Sequence, residues 1–135
     1  GGYKLMANPN IVQTTSIEGV TTQSIPDVAG PGGNYLVPRL APVASDKVYK
    51  VNTLFVTNIN TTTDYECTVY HYIANNSGSG SSSARLAANV VVPAKSNIVI
   101  VSGDNPVYLR EGDYIAGFSN VVSTLTYTIS YEIIS

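Results

Sequence analysis

Between Leu125 and Ile133 every second residue is large and apolar, and the residues between them are Thr126, Thr128, Ser130 and Glu132. A period of two belongs to an extended chain, in which successive side chains point to opposite faces; a helix would scatter this set around its circumference. The segment is therefore a strand with one dry face and one wet face. Such a strand needs neighbours to pair its backbone and a second layer to cover its apolar side. Tyr65, Cys67, Val69, His71 and Ile73 alternate in the same way with Glu66, Thr68, Tyr70 and Tyr72. Val48 to Ile59 is apolar on both sides, with Tyr49, Val51 and Phe55 on one and Leu54 and Val56 on the other. It reads as a central strand covered on both faces, or one whose outer face meets a partner.

Shorter strands are expected at Arg85–Val92, Asn97–Ser102, Val107–Leu109 and Asp113–Ser119. Breakers separate them: Pro93-Ala94-Lys95-Ser96, Gly103-Asp104-Asn105-Pro106 and Arg110-Glu111-Gly112-Asp113. No window carries apolar residues at i, i+3, i+4 and i+7 between helix caps, so no substantial helix is expected. The fold class is all-β, an antiparallel two-sheet sandwich of jelly-roll-like form. The 135 residues suffice for one such domain, placed at 6–135. Residues 1–5 read as a tag or cloning remnant ahead of Met6. Residues 19–44 read as a long loop or arm reaching a neighbouring subunit. Asn75 to Ser83 reads as a flexible hairpin tip.

Composition narrows the function. Charged residues are only 12% of the chain while hydrophobic ones are 44%, and Asn, Ser and Thr supply 39 residues. The polar surface is therefore built from neutral hydrogen-bonding groups. A net charge of −2 with scattered Lys and Arg gives no footprint for nucleic acid. No apolar run is long enough to span a membrane as a helix. With one Cys and one His, neither an intrachain disulfide nor a His/Cys metal cluster can be assembled within one subunit. The aspartates do not fall into a calcium-loop spacing. No metal, no cofactor and no catalytic residue is expected.

Three constellations bear on that expectation. Glu111 and Asp113 flank Gly112 and could face one side as an acid/base pair, but a turn collects acidic residues for backbone reasons. Cys67 and His71 share a strand face yet lie four residues apart, about 13 Å, too far for a nucleophilic pair. A buried Cys67 beside a packed or partly buried His71 is the better reading. The ten tyrosines are the remaining feature, with Tyr70 and Tyr72 projecting from the face opposite Val69 and His71. This face is either a second packed face inside the sandwich or exposed; exposed tyrosines suit protein interfaces and, less well without tryptophan, sugar stacking.

Met6-Ala7-Asn8-Pro9-Asn10-Ile11-Val12, Lys47-Val48-Tyr49-Lys50-Val51-Asn52, Pro106 to Asp113 and Val122 to Ser135 carry a resemblance. In these segments the chain is similar to small β-rich virion structural proteins of tailed marine bacteriophages, including cyanophages. That resemblance implies a non-enzymatic decoration or cement protein of the capsid, or a tail component. It implies a place on the particle surface after synthesis in the bacterial host cytoplasm, and the major capsid or tail protein as partner. It supplies no functional residue. Leu109-Arg110-Glu111-Gly112-Asp113 also resembles trimeric jelly rolls of the complement and tumour-necrosis type, in architecture alone. From the residues themselves, low charge, tyrosines and a doubly apolar strand suit burial against further copies of the same chain. A homotrimer is the expected assembly, with Leu54, Val56, Tyr70 and Tyr72 as interface candidates. The alternative is a carbohydrate- or host-receptor-binding module of a tail fibre, with a glycan as partner.

Overall fold

In the computed structural model, residues 16–26, 34–38, 42–74 and 81–135 are described. The suggested tag at 1–5 and all but the last three residues of the Asn75–Ser83 tip lie outside them. The described residues form nine strands and no helix: β1 Ile17–Ser24, β2 Asn34–Val37, β3 Val48–Asn58, β4 Tyr65–Ile73, β5 Ser82–Val92, β6 Ser96–Val101, β7 Val107–Leu109, β8 Tyr114–Ser119 and β9 Thr126–Ile134. One sheet has the order β1-β9-β3-β6, with β7 pairing β3 beside β6, and the other has the order β2-β8-β4-β5. All pairings are antiparallel. With β6 and β7 taken as two pieces of one interrupted strand, first pairs with last, second with next to last, and so inward. That nested order is a jelly roll, and the chain is a β-sandwich as its alternation predicts.

The apolar sets from the two sheets meet in one core. Tyr127 and Ile129 of β9, Leu54 and Val56 of β3, Cys67 and Val69 of β4, and Ile115 of β8 have no solvent exposure. Each such aliphatic side chain contributes roughly 1.5–3 kcal/mol by leaving water. Tyr127 reaches from one sheet to the other, and its hydroxyl donates to the Phe118 carbonyl at 2.8 Å. Gly117 makes room for it. A Cβ on Gly117 would lie 3.0 Å from the Thr68 carbonyl oxygen, 3.0 Å from Leu36 Cδ1 and 3.3 Å from Tyr127 Cε2.

Two expectations are corrected here. Leu54 and Val56 are fully buried in the core and offer no surface to a partner. The cause is a bulge. Val51 pairs with Tyr131, and Thr53 with the adjacent Ser130, so Asn52 is an extra residue in β3. It shifts the phase of alternation, so that Tyr49 and Val51 before it, and Leu54 and Val56 after it, all turn inward. Thr53, Phe55 and Thr57 take the outer face. The described part of 19–44 is not an arm either. Gly19 to Ser24 pairs with β9 as part of β1, and Asn34 to Val37 pairs with β8 as β2, so this stretch supplies an edge strand to each sheet.

Gly117→Ala is expected to cost about 1–3 kcal/mol in urea unfolding, because the Thr68 backbone cannot retreat without disturbing the sheet. Gly19→Ala, with no atom within 4 Å of the new carbon, should be close to neutral.

Candidate functional site

Regular pairing of β4 with β8 sets Tyr72 opposite Tyr114 and Tyr70 opposite Ala116, and β2 brings Tyr35 opposite Ala116 from the other side. These side chains share the outer face of the β2-β8-β4-β5 sheet, where they form a cluster centred on Tyr114. The rings of Tyr72 and Tyr114 stack at 4.8 Å with planes 13° apart. Tyr35 lies 4.5 Å from Tyr114 at a tilt of 53°, and Tyr70 meets it edge-on at 6.5 Å. Arg85, opposite Tyr70 in β5, holds its guanidinium carbon 5.7 Å above the Tyr70 ring. Burial, and then the nearness of the Tyr70, Tyr35 and Tyr72 phenols, push the Tyr114 hydroxyl above its ordinary value. It stays a neutral donor and acceptor.

This patch is rigid and amphipathic. Each ring is half-buried, fixed by its neighbours, and carries a hydroxyl that can find a backbone partner at the rim of a contact. Binding through such residues loses little conformational entropy, since a tyrosine has only two side-chain torsions to fix. Two of its members, Tyr70 and Tyr72, are among the sequence-predicted interface residues. Tyr35 and Tyr114 are not. They join the patch through sheet order, which places β2 and β8 beside β4 and has no counterpart in linear spacing.

The acidic pair does not form. Gly112 takes a positive φ of 84°, and the turn leaves Glu111 at the surface while Asp113 is buried. Asp113 is a fastener for the loop. Its Oδ1 accepts the Ala74 N–H at 3.0 Å, and its Oδ2 accepts the Arg110 N–H at 3.1 Å and faces His71 Nε2 at 3.3 Å. Burial opposes the charge on Asp113, but the hydrogen bonds from His71, Ala74 and Arg110 outweigh it and hold the carboxyl below its ordinary value. A carboxylate committed to two amides and an imidazole holds the β7–β8 turn against the end of β4; its chemistry is positional. Cys67 is wholly buried, and desolvation pushes its thiol up to about 11, far from a reactive thiolate. Among the described residues, no group of three or more His, Cys, Asp or Glu side chains gathers where a metal could sit.

Asp113→Ala should lower stability in urea by about 3 kcal/mol at pH 7, because it leaves two amides without their acceptor. The stability Asp113 contributes as an anion is present above the ordinary aspartate value of about 4 and drains as pH falls through its lower folded value. The gap between wild type and variant should therefore narrow on acidification below about pH 4; a gap independent of pH would contradict this role. Compared with known proteins, the chain matches no family model, no curated protein and no solved structure.

Proposed function

We propose that this chain is a non-enzymatic virion structural protein of a tailed bacteriophage, a decoration or cement protein that associates with its own copies and sits on the particle surface. The observation that carries self-association is the four-tyrosine patch of Tyr35, Tyr70, Tyr72 and Tyr114 on the outer face of one sheet. A rigid aromatic cluster with little charge around it is the composition of an interface centre, where a few aromatic anchors carry most of the binding energy. Three copies around one axis are the proposed assembly, since a closed ring reuses one surface in every subunit. The virion assignment rests on the similarity of Met6–Val12, Lys47–Asn52, Pro106–Asp113 and Val122–Ser135 to small virion proteins of marine phages. Synthesis in the bacterial host and docking on the major capsid or tail protein follow from that reading.

Use of the same tyrosines as a sugar platform in a tail fibre fits the patch less well. Tyr72 and Tyr114 give a ring face to each other, and Arg85 lies over Tyr70. Those ring faces are already occupied, whereas sugar stacking asks for an open one. Antibodies raised against the purified protein, applied to intact particles of the phage that encodes it, should label the particle in a regular array under electron microscopy. Label confined to the unassembled fraction of the lysate would count against a virion protein.

A further inference from the structure

At the end of the sandwich where β3 turns into β4, an open groove of about 460 Å³ separates the β3–β4 loop from the segment that leads into β9. Its apolar contacts come from Ile25, Ile59 and Tyr65, and its polar ones include Asn60, Thr61 and Thr126. Among the described residues, neither a carboxylate nor a basic side chain lines it. Ile59 is 78% exposed and Ile25 54%, so two large aliphatic side chains stand in water at the rim without contributing to the core.

The walls are fixed before any ligand arrives. The side-chain amide of buried Asn58 donates through Nδ2 to the carbonyls of Thr63 and Val92, and its Oδ1 accepts the Asn60 N–H. The Asn60 side chain in turn accepts the N–H groups of Thr62 and Thr63, so both flanks of Ile59 are pinned. On the opposite wall the Ser123 N–H donates to the Pro26 carbonyl at 2.9 Å, tying that loop to the residue after Ile25. A preformed groove loses less free energy on binding than one that must be ordered.

We propose that this groove binds an uncharged oligosaccharide. A neutral sugar presents C–H faces beside hydroxyl edges, and it needs apolar side chains interleaved with neutral donors and acceptors, as here. A lipid chain would cover the Thr61 and Thr126 hydroxyls and the Asn60 NH2 group with hydrocarbon that offers them no hydrogen bond. A phosphorylated or acidic ligand would meet no cation among the described lining residues. The site is separate from the tyrosine patch, which faces outward from one sheet, and its success or failure does not depend on self-association.

The test is an NMR titration of the labelled full chain with maltotriose, cellotriose and N,N′-diacetylchitobiose as neutral probes, and sialyllactose as an acidic one. At least one neutral probe should give saturable shifts at Ile59, Tyr65 and Thr126 at millimolar or lower concentration. Ile59→Asp should weaken that binding about tenfold while leaving the melting temperature unchanged, because Ile59 is outside the core. The proposal is overturned if no neutral probe gives saturable shifts, or if sialyllactose binds as tightly as they do. Shifts that fall on Tyr72 and Tyr114 instead, or binding that survives Ile59→Asp, would overturn it too. So would groove resonances that broaden with protein concentration alone, which would make the occupant a second copy of the chain.

Discussion

Tyr127 spans the core and ties the two sheets together. It belongs to β9, the strand that pairs with both β1 and β3, and its hydroxyl ends on the carbonyl of Phe118 in β8 of the facing sheet. A buried phenol is tolerated only with such a partner, since an unsatisfied hydroxyl in the core costs roughly 1–3 kcal/mol. Ser119 Oγ lies 3.4 Å from the Tyr127 hydroxyl oxygen. The ring then demands space, which Gly117 provides between Tyr127, Leu36 and the Thr68 backbone. One side chain thus sets the approach of β8 to β9, and β8 in turn carries Tyr114 at the centre of the tyrosine patch.

The outer surfaces follow from how the strands keep or break their phase. β4 and β8 stay in regular register from Cys67 opposite Ser119 to Tyr72 opposite Tyr114, so the outward tyrosines line up and stack. Against β5 the same strand is irregular at two places. There Thr68 and Asn89 exchange hydrogen bonds between hydroxyl, side-chain oxygen and N–H, and Asn89 adopts a positive φ of 49°. The irregular edge is thereby closed by a local polar clamp, while the regular edge builds the aromatic face. Below the tyrosines, Asp113 fixes the turn from which Tyr114 starts, so the fastener and the patch are adjacent in the chain and mechanically linked.

Much of this architecture was legible in the residues, for reasons that differ by element. β9 and β4 have one dry face over nine residues each, and their alternation marks them almost to the residue. β7 is short but bracketed by Pro106 and Gly112, and its limits coincide with those expected. β1 is not legible in the sequence because it is an edge strand with mostly exposed positions and one central aliphatic residue, Val20, so no alternation is written into it. β2 is four residues among glycines and prolines. The misassigned face of Leu54 and Val56 has a different cause. A single bulged residue, Asn52, inverts the phase halfway along β3, and a period-two reading has no means of locating it. The contact of His71 with Asp113 spans 42 positions and depends on β4 and β8 being neighbours. Alternation alone separates Tyr70 and Tyr72 from Cys67 and Val69, but whether their face is packed or outward depends on the sheet order.

Self-association through the outward tyrosines is the central claim, and solution mass tests it most directly. Light scattering across a dilution series should give a stable multiple of 14.3 kDa, three for the proposed ring, and Tyr72→Ser should shift the mass toward the monomer without lowering the melting temperature by more than a few degrees. A wild-type protein that is monomeric at every concentration would contradict the account, as would an oligomer whose mass is indifferent to the loss of Tyr72.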